Sequence, residues 1–229
     1  MKRPYIICHM TTSIDGKVTG DFLSHPDCEA GIELYYEINR SFKPDAYACG
    51  RITMEGSFTG GWYPDLAQYP PAQREGDYLG EERRGFYAVA FDPQGRLGWK
   101  SSCIEDEDPG YGGAQIIEVV TRRADPRYLS YLEDMGIPYL IAGEEQIDVA
   151  LALEKLQTCF QINKLLLEGG SVLDGGFQRA GVVDELSLVM VPLTARAEDK
   201  PLFWNGVQEQ YTLTEAERHG SVIWLRYKK

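Results

Sequence analysis

Lys164 to Leu167 reads as a short strand that leads into Glu168-Gly169-Gly170 and passes without a linker into a helical pattern of Leu173, Phe177 and Ala180, stopped by Gly181. A buried strand that turns at once into a helix is the repeating unit of a parallel sheet covered by helices on both faces. The same punctuation recurs along the chain. Tyr5 to Thr12 reads as a buried strand. Ser24-His25-Pro26-Asp27 reads as a helix start, with a capping serine and a first-turn proline, and Leu34, Ile38 and Phe42 carry that helix on one face. Ala46 to Cys49 is a strand broken by Gly50-Arg51-Ile52-Thr53, which opens a short helix. Strands are expected over 86–91, 116–121 and 138–142, and helices over 126–135 and 149–160, the last with apolar residues spaced four, three and four. The final fifth lacks a helical pattern; Glu185 to Val191 and Val222 to Tyr227 predict a closing antiparallel hairpin. The fold class is therefore α/β, a three-layer α/β/α arrangement with a mostly parallel central sheet, read as one domain over residues 1–229.

Composition narrows the function. The formal charge is −12 and the pI about 4.8, which disfavours general binding to nucleic acid or an anionic membrane. No apolar stretch approaches the roughly 20 residues of a membrane span. The N-terminal apolar run is too short for a signal-peptide core, so the expected location is the cytoplasm. The five cysteines are scattered without a Cys-x-x-Cys pair, and the three histidines have no ligand spacing. That pattern predicts reduced thiols and no metal.

Three segments can carry chemistry, each at the carboxyl end of an expected strand, where open parallel sheets bind ligands. In residues 164–181 the glycines let a ligand approach the backbone. The helix start offers free N–H groups and a positive dipole end to a phosphate. Ser171 is the expected N-cap, with Asp174 three residues on; the same residues could simply cap the helix. The segment is neither Gly-x-Gly-x-x-Gly nor a P-loop. In residues 49–57, CGRITMEGS, Arg51 could pair with a phosphate and Thr53 could hydrogen-bond one, or both could be surface and capping residues. In residues 11–20, TTSIDGKVTG, Asp15-Gly16 could be a turn and Lys17 a solvated cation. Residues 58–85 form a loop long enough to serve a ligand, rich in Pro, Gly and Tyr.

These segments, RPYIICHMTTSIDGKVT, CGRITMEGS and LLLEGGSVLDGGFQRAGVVDELSLVMVP, resemble the dihydrofolate-reductase-like superfamily, and within it the RibD C-terminal reductase domain of riboflavin biosynthesis. The resemblance covers nearly the whole chain. It implies a dihydrofolate-reductase-like fold, NADPH as cofactor, hydride transfer to a small heterocyclic substrate, reduction of 5-amino-6-(5-phosphoribosylamino)uracil as the reaction, and a homodimer. Carried over, Gly169, Gly170, Ser171, Val172, Leu173 and Asp174 would surround the diphosphate. Gly50, Arg51, Thr53 and Ser57 would contact the cofactor from the second segment, with Arg51 placed for a 2′-phosphate. Thr11 and Thr12 would lie near the nicotinamide. Glu168 and Asp15 would face the substrate as candidate proton carriers.

The chain also departs from the pattern. The Asp-Asp-Pro stretch and nearby arginines that usually follow the threonine segment are replaced by Gly56-Ser57-Phe58-Thr59-Gly60-Gly61-Trp62-Tyr63, and an arginine expected late in the first helix falls on Ser41 beside Arg40. Two other readings therefore stand beside the first: a dihydrofolate or other pterin reductase, and a non-catalytic NADP-binding homologue.

Overall fold

The computed structural model describes residues 2–229. The chain forms two compact units. One comprises 45–165 with residues 2–4; the other comprises 5–44 and 166–229.

The first unit holds β2 (Ala46–Gly50), α2 (Arg51–Met54), β3 (Tyr87–Phe91), β4 (Gln115–Val120), α3 (Pro126–Asp134), β5 (Tyr139–Ile141) and α4 (Val149–Phe160). Its strands run in the order β5-β4-β3-β2, all parallel. β3 and β4 are buried along their whole length, as strands covered on both faces must be. Asp125 caps α3 by accepting from the Arg127 amide, with Pro126 in the first turn. Asp148 caps α4 through the Leu151 amide.

The 58–85 segment is pinned along β5. Tyr78 and Tyr139 exchange backbone hydrogen bonds of 3.0 and 2.8 Å. Asp77 accepts from the Ile141 amide at 2.8 Å and pairs with Lys155. An exposed edge strand invites pairing with other chains, and this coat covers it.

β6 (Lys164–Leu167) leads from the first unit into the second. The second unit holds β1 (Tyr5–Thr12), α1 (Glu29–Phe42), α5 (Ser171–Arg179), β7 (Glu185–Met190), β8 (Thr212–His219) and β9 (Val222–Lys228). The strand order is β6-β1-β7-β9-β8. β1 and β7 are parallel, while β9 runs antiparallel to both β7 and β8. The fold class is the expected one, a mostly parallel sheet with an antiparallel C-terminal end. The closing hairpin differs in detail: β9 turns back from β8, which the sequence pattern did not show. β8 is exposed along nearly its whole length, so it carries no apolar alternation to betray it.

Helix α1 begins at Glu29, later than expected. Residues 21–24 and 26–28 are 3₁₀ turns, and His25 rather than Ser24 accepts from a backbone amide, that of Asp27. Leu34 and Ile38 of α1 pack on Val189 and Val222. Gly31 lets the helix come close, since a Cβ there would sit 2.4 Å from the Val191 side chain.

Beneath α1, His9 is fully buried and stacks on Tyr35 at 4.2 Å. Its Nε2 lies 3.0 Å from the Tyr35 carbonyl, which can only accept, so Nε2 carries the proton. Nδ1 then accepts from the Ser187 hydroxyl at 2.9 Å, and that hydroxyl accepts from Trp224 Nε1. Burial lowers the His9 pKa to about 4.

On the opposite face of the hairpin, Leu188 opposes Leu225, Met190 opposes Ile223, and Leu213 opposes Tyr227. Paired residues share a face, and this one leaves Leu213 51% and Ile223 40% exposed.

Candidate functional site

In the second unit, β1 and β6 deliver their carboxyl ends side by side. β6 ends at Leu167 and is followed by Glu168, Gly169 and Gly170, and α5 starts at Ser171. The Gly170 carbonyl accepts the Leu173 and Asp174 amides at 2.8 and 3.2 Å. Among the described residues, the amides of Gly170, Ser171 and Val172 donate to no protein group. Three unused N–H groups at the start of a nine-residue helix could hold an anion.

Ser171 is not the expected N-cap. Gly170 holds that position without a side-chain cap. The Ser171 hydroxyl is buried and donates to the Pro201 carbonyl. Asp174 is also withdrawn from any ligand: its carboxyl is fully buried and neither oxygen has a hydrogen-bond partner. Gly175 serves packing instead, because a Cβ there would meet the Trp204 carbonyl oxygen at 2.1 Å. Val172 is 56% exposed and Leu173 half-buried at the helix mouth.

A strap, residues 193–206, ties this mouth together. Trp204 donates its amide to Ser171 O at 3.0 Å. On the same strap, Lys200 O accepts the Val18 amide and the Leu202 amide reaches Gly16 O. The loop after β1 thus leans on the same segment as α5. Thr11 and Thr12 lie at the end of β1, 8% and 2% exposed.

The two carboxylates expected to face substrate differ sharply. Glu168 is 7% exposed, and its Oε1 accepts from Asn39 Nδ2 of α1 at 2.6 Å. Asp15 is exposed; its Oδ1 accepts from the Ala195 amide at 3.0 Å and from the Ser13 hydroxyl at 2.7 Å. The Ala195 amide, then the Ser13 hydroxyl, hold its pKa below the usual carboxylate range. Asp15 is therefore an anion that braces its loop, the opposite of what a proton donor at neutral pH requires.

In the first unit, a separate cavity of about 560 Å³ opens at the carboxyl ends of β2 and β3, lined by Arg51, Glu55, Tyr63, Arg96, Arg123 and Asp125 among others. Arg51 is already paired with Glu55 at 2.6 Å, one helical turn on. Arg123 pairs with Glu145 at the surface. Arg96 has no ion-pair partner among the described residues.

Beneath the cavity, the turn after β3 is rigid. Asp92 is buried and accepts the amides of Arg96 and Leu97. Burial raises its pKa, partly offset by those amides and by Arg51. Tyr63 donates to Gly95 O at 2.8 Å and stacks on Tyr128. Gly50, Thr53 and Ser57 lie on the same side of this unit, Thr53 half-buried and Ser57 exposed.

Sequence reasoning missed Arg96, Arg123 and Asn39. For Arg96 the signal existed: a strand, a turn with glycine, then a cation, the same logic that pointed to Arg51. Asn39 stands next to the apolar Leu34–Ile38 stripe, where an amide invites the question of its partner. Among the described residues no group of His, Cys, Asp and Glu is arranged to hold a metal, and no helix is long and apolar enough to cross a membrane.

A family model described as the RibD C-terminal domain matches residues 4–225. The chain belongs to that family. Among its relatives is a protein of Methanothermobacter thermautotrophicus named 2,5-diamino-6-ribosylamino-4(3H)-pyrimidinone 5′-phosphate reductase, 26% identical over 86% of this chain and 82% of that one. An Aquifex aeolicus protein of the same name is 30% identical over 41% of each chain. Among solved structures, a pyrimidine reductase-like protein of Corynebacterium diphtheriae superposes with a TM-score of 0.67 at 20% identity, covering 98% of this chain and 91% of that one. At that identity the likeness speaks for the fold alone.

Proposed function

We propose that this chain is an NADPH-dependent pyrimidine reductase that reduces the ribosylamino side chain of a phosphorylated aminopyrimidine in riboflavin biosynthesis. The observation that carries this is the trio of unused amides at Gly170, Ser171 and Val172, in a chain whose family relatives are named for that reduction. These amides fit a diphosphate. In the first unit, Arg51, Arg96 and Arg123 are candidates for an additional phosphate, which favours NADPH over NADH. When bound, NADPH supplies the hydride, and the protein supplies orientation and charge.

The chain's own part is to hold each ligand in place. Thr11 and Thr12 line the end of β1. Gly169 and Gly170 leave room for close backbone approach, and Glu168 is assigned to the substrate side on the family resemblance. Asp15 keeps the neighbouring loop in register. Gly50, Thr53 and Ser57 complete the second segment.

We further propose that both units work as one functional domain, since one family model runs through both. The enzyme is cytoplasmic. It is a homodimer, joined through the hairpin face bearing Leu213, Ile223 and Leu225, whose apolar exposure is what a second copy would cover.

The test is NADPH oxidation by the purified protein with 2,5-diamino-6-ribosylamino-4(3H)-pyrimidinone 5′-phosphate and, in parallel, 5-amino-6-(5-phosphoribosylamino)uracil. Turnover of either is the expected result. Binding of NADPH with no turnover of either would overturn the reading and restore the non-catalytic one. Gly170→Asp places a negative side chain at the helix mouth and is expected to weaken NADPH binding at least about tenfold, equivalent to about 1.4 kcal/mol, by titration calorimetry.

A further inference from the structure

The cavity at the carboxyl ends of β2 and β3 offers an aromatic ring as well as charge. Tyr63 lines it together with Arg51 and Arg96. This tyrosine closes the 56–63 stretch, where the chain departs from the pattern it otherwise resembles. It is 40% exposed, yet it is held at both ends. Its ring lies parallel to that of Tyr128 in α3, with 5° between the planes and 6.0 Å between centroids. Its hydroxyl donates to Gly95 O at 2.8 Å. Tyr128 is fully buried and continues the row of rings inward to Tyr131, which Tyr69 meets edge-on. Gly95 is required where it stands: its φ is +66°, and a Cβ there would meet the Tyr128 ring at 2.4 Å. One face of Tyr63 is thus spent on Tyr128, and the exposed part of the ring is left to the cavity.

We propose that Tyr63 is a stacking shelf for the adenine base of the cofactor, so that this cavity selects a purine nucleotide and not simply a phosphate. The inference deepens the functional reading above and rests on it, because the base in question is the one beside the additional phosphate assigned to Arg51, Arg96 and Arg123.

The chemistry of the cavity agrees. A base stacks on an aromatic face whatever its hydrogen-bonding edge, so the shelf needs no further group to read it. Arg51 is held by Glu55 and Arg123 by Glu145, whereas Arg96 has no ion-pair partner among the described residues. Asp125 also lines the cavity, and its Oδ1 accepts from the Arg127 amide. Arg96 directly follows Gly95, the residue that fixes the Tyr63 hydroxyl. Ring and cation therefore share one turn, which Asp92 clamps through the amides of Arg96 and Leu97. A nucleotide with its base and a phosphate on adjacent ribose carbons presents the matching pair of groups. A phosphorylated pyrimidine offers both as well, but its single ring covers less of the shelf than two fused rings do. The cavity volume of about 560 Å³ lies within the range of small-molecule sites, about 300–1,000 Å³.

The experiment measures binding by titration calorimetry with three probes: adenosine 2′-monophosphate, cytidine 2′-monophosphate and inorganic phosphate. The first two carry the same phosphate on the same sugar carbon and differ only in the base. Wild type is expected to bind the adenosine compound at least about fivefold more tightly than the cytidine one. Tyr63→Leu is expected to weaken the adenosine compound about tenfold and to leave inorganic phosphate within about twofold, a split that a loosened fold would not produce. Tyr63→Phe keeps the ring and should stay within about threefold of wild type.

A second readout needs no variant. An adenine absorption band loses intensity when the base stacks, so hypochromism is expected on binding of adenosine 2′-monophosphate to wild type. Unchanged affinity for that compound in Tyr63→Leu, an equal loss of inorganic phosphate, no preference over the cytidine compound, or absent hypochromism overturns the proposal. Should Tyr63→Leu not fold, the base preference and the hypochromism of wild type decide. If wild type reduces neither pyrimidine, the functional reading fails, while these binding measurements still settle the role of Tyr63.

Discussion

Arg51, the cation that the Gly-Arg-x-Thr pattern singles out, is the one most closely held: Glu55 neutralises it within hydrogen-bond distance. Arg96 meets the same cavity with no carboxylate on its guanidinium and with its backbone clamped by Asp92. The discrimination between NADPH and NADH should therefore fall on Arg96. Arg96→Ala is expected to raise the KM for NADPH about tenfold, since a charge-assisted contact to phosphate contributes about 1.5–3 kcal/mol. The KM for NADH should hardly move. Steady-state kinetics with both nucleotides checks this, and an equal loss with both would assign Arg96 to stability alone. Asn39 shows why the site was only partly legible in the sequence. Glycines at strand ends announce themselves by type, and Gly169 and Gly170 were read on that ground. A buried amide announces itself only through its partner, and Glu168 lies 129 positions further along the chain. Ser171 and Asp174 misled for a related reason. Their spacing matches a cap, but Pro201 O captures the serine and burial removes the aspartate.

At the scale of elements, strands that are buried on both faces could be read to within a residue or two. β1, β6 and α4 match their expected limits. β8 could not be read, because an exposed edge strand has no apolar face to give it a period, and β9 supplies its register from outside. The 58–85 segment gave a second ambiguity. Its Pro, Gly and Tyr content suits a ligand loop, yet Tyr78 and Asp77 are spent on β5, and Tyr63 and Tyr69 pack on Tyr128 and Tyr131 of α3. Asp77→Ala removes an acceptor of both the Ile141 amide and the Lys155 ammonium. For a half-buried pair this should cost about 1–2 kcal/mol of stability. Hydrogen exchange at Tyr78 and Ile141 should quicken at the same time. Exchange unchanged at those amides would show that the Tyr78–Tyr139 bridge alone holds the segment.

For the whole molecule, buried titratable groups give stability two opposing dependences on pH. His9 has a folded pKa of about 4 against 6.5 for an ordinary histidine. Its folded value is depressed, so the unfolded chain binds the extra proton. Stability is then full above about pH 6.5, falls as pH drops toward about 4, and levels off below that, a loss on the order of 3 kcal/mol. Asp174 and Glu118 are raised, chiefly by burial. Their contribution runs the other way: it is full below the unfolded carboxylate range and declines as pH climbs from there through the raised folded values. Urea unfolding across pH 4 to 7 should show His9→Gln flattening the acidic edge, and a slope that survives this variant would move the cause elsewhere. The strap over residues 193–206 has its own consequence. It joins two parts of the ligand mouth without belonging to any helix or strand, and it displays Arg196 to solvent. A single tryptic nick there would leave the strands paired while loosening the grip on the nucleotide. A cut chain that keeps its circular dichroism but no longer responds to NADPH would locate the molecule's working hinge in a stretch that has no regular structure at all.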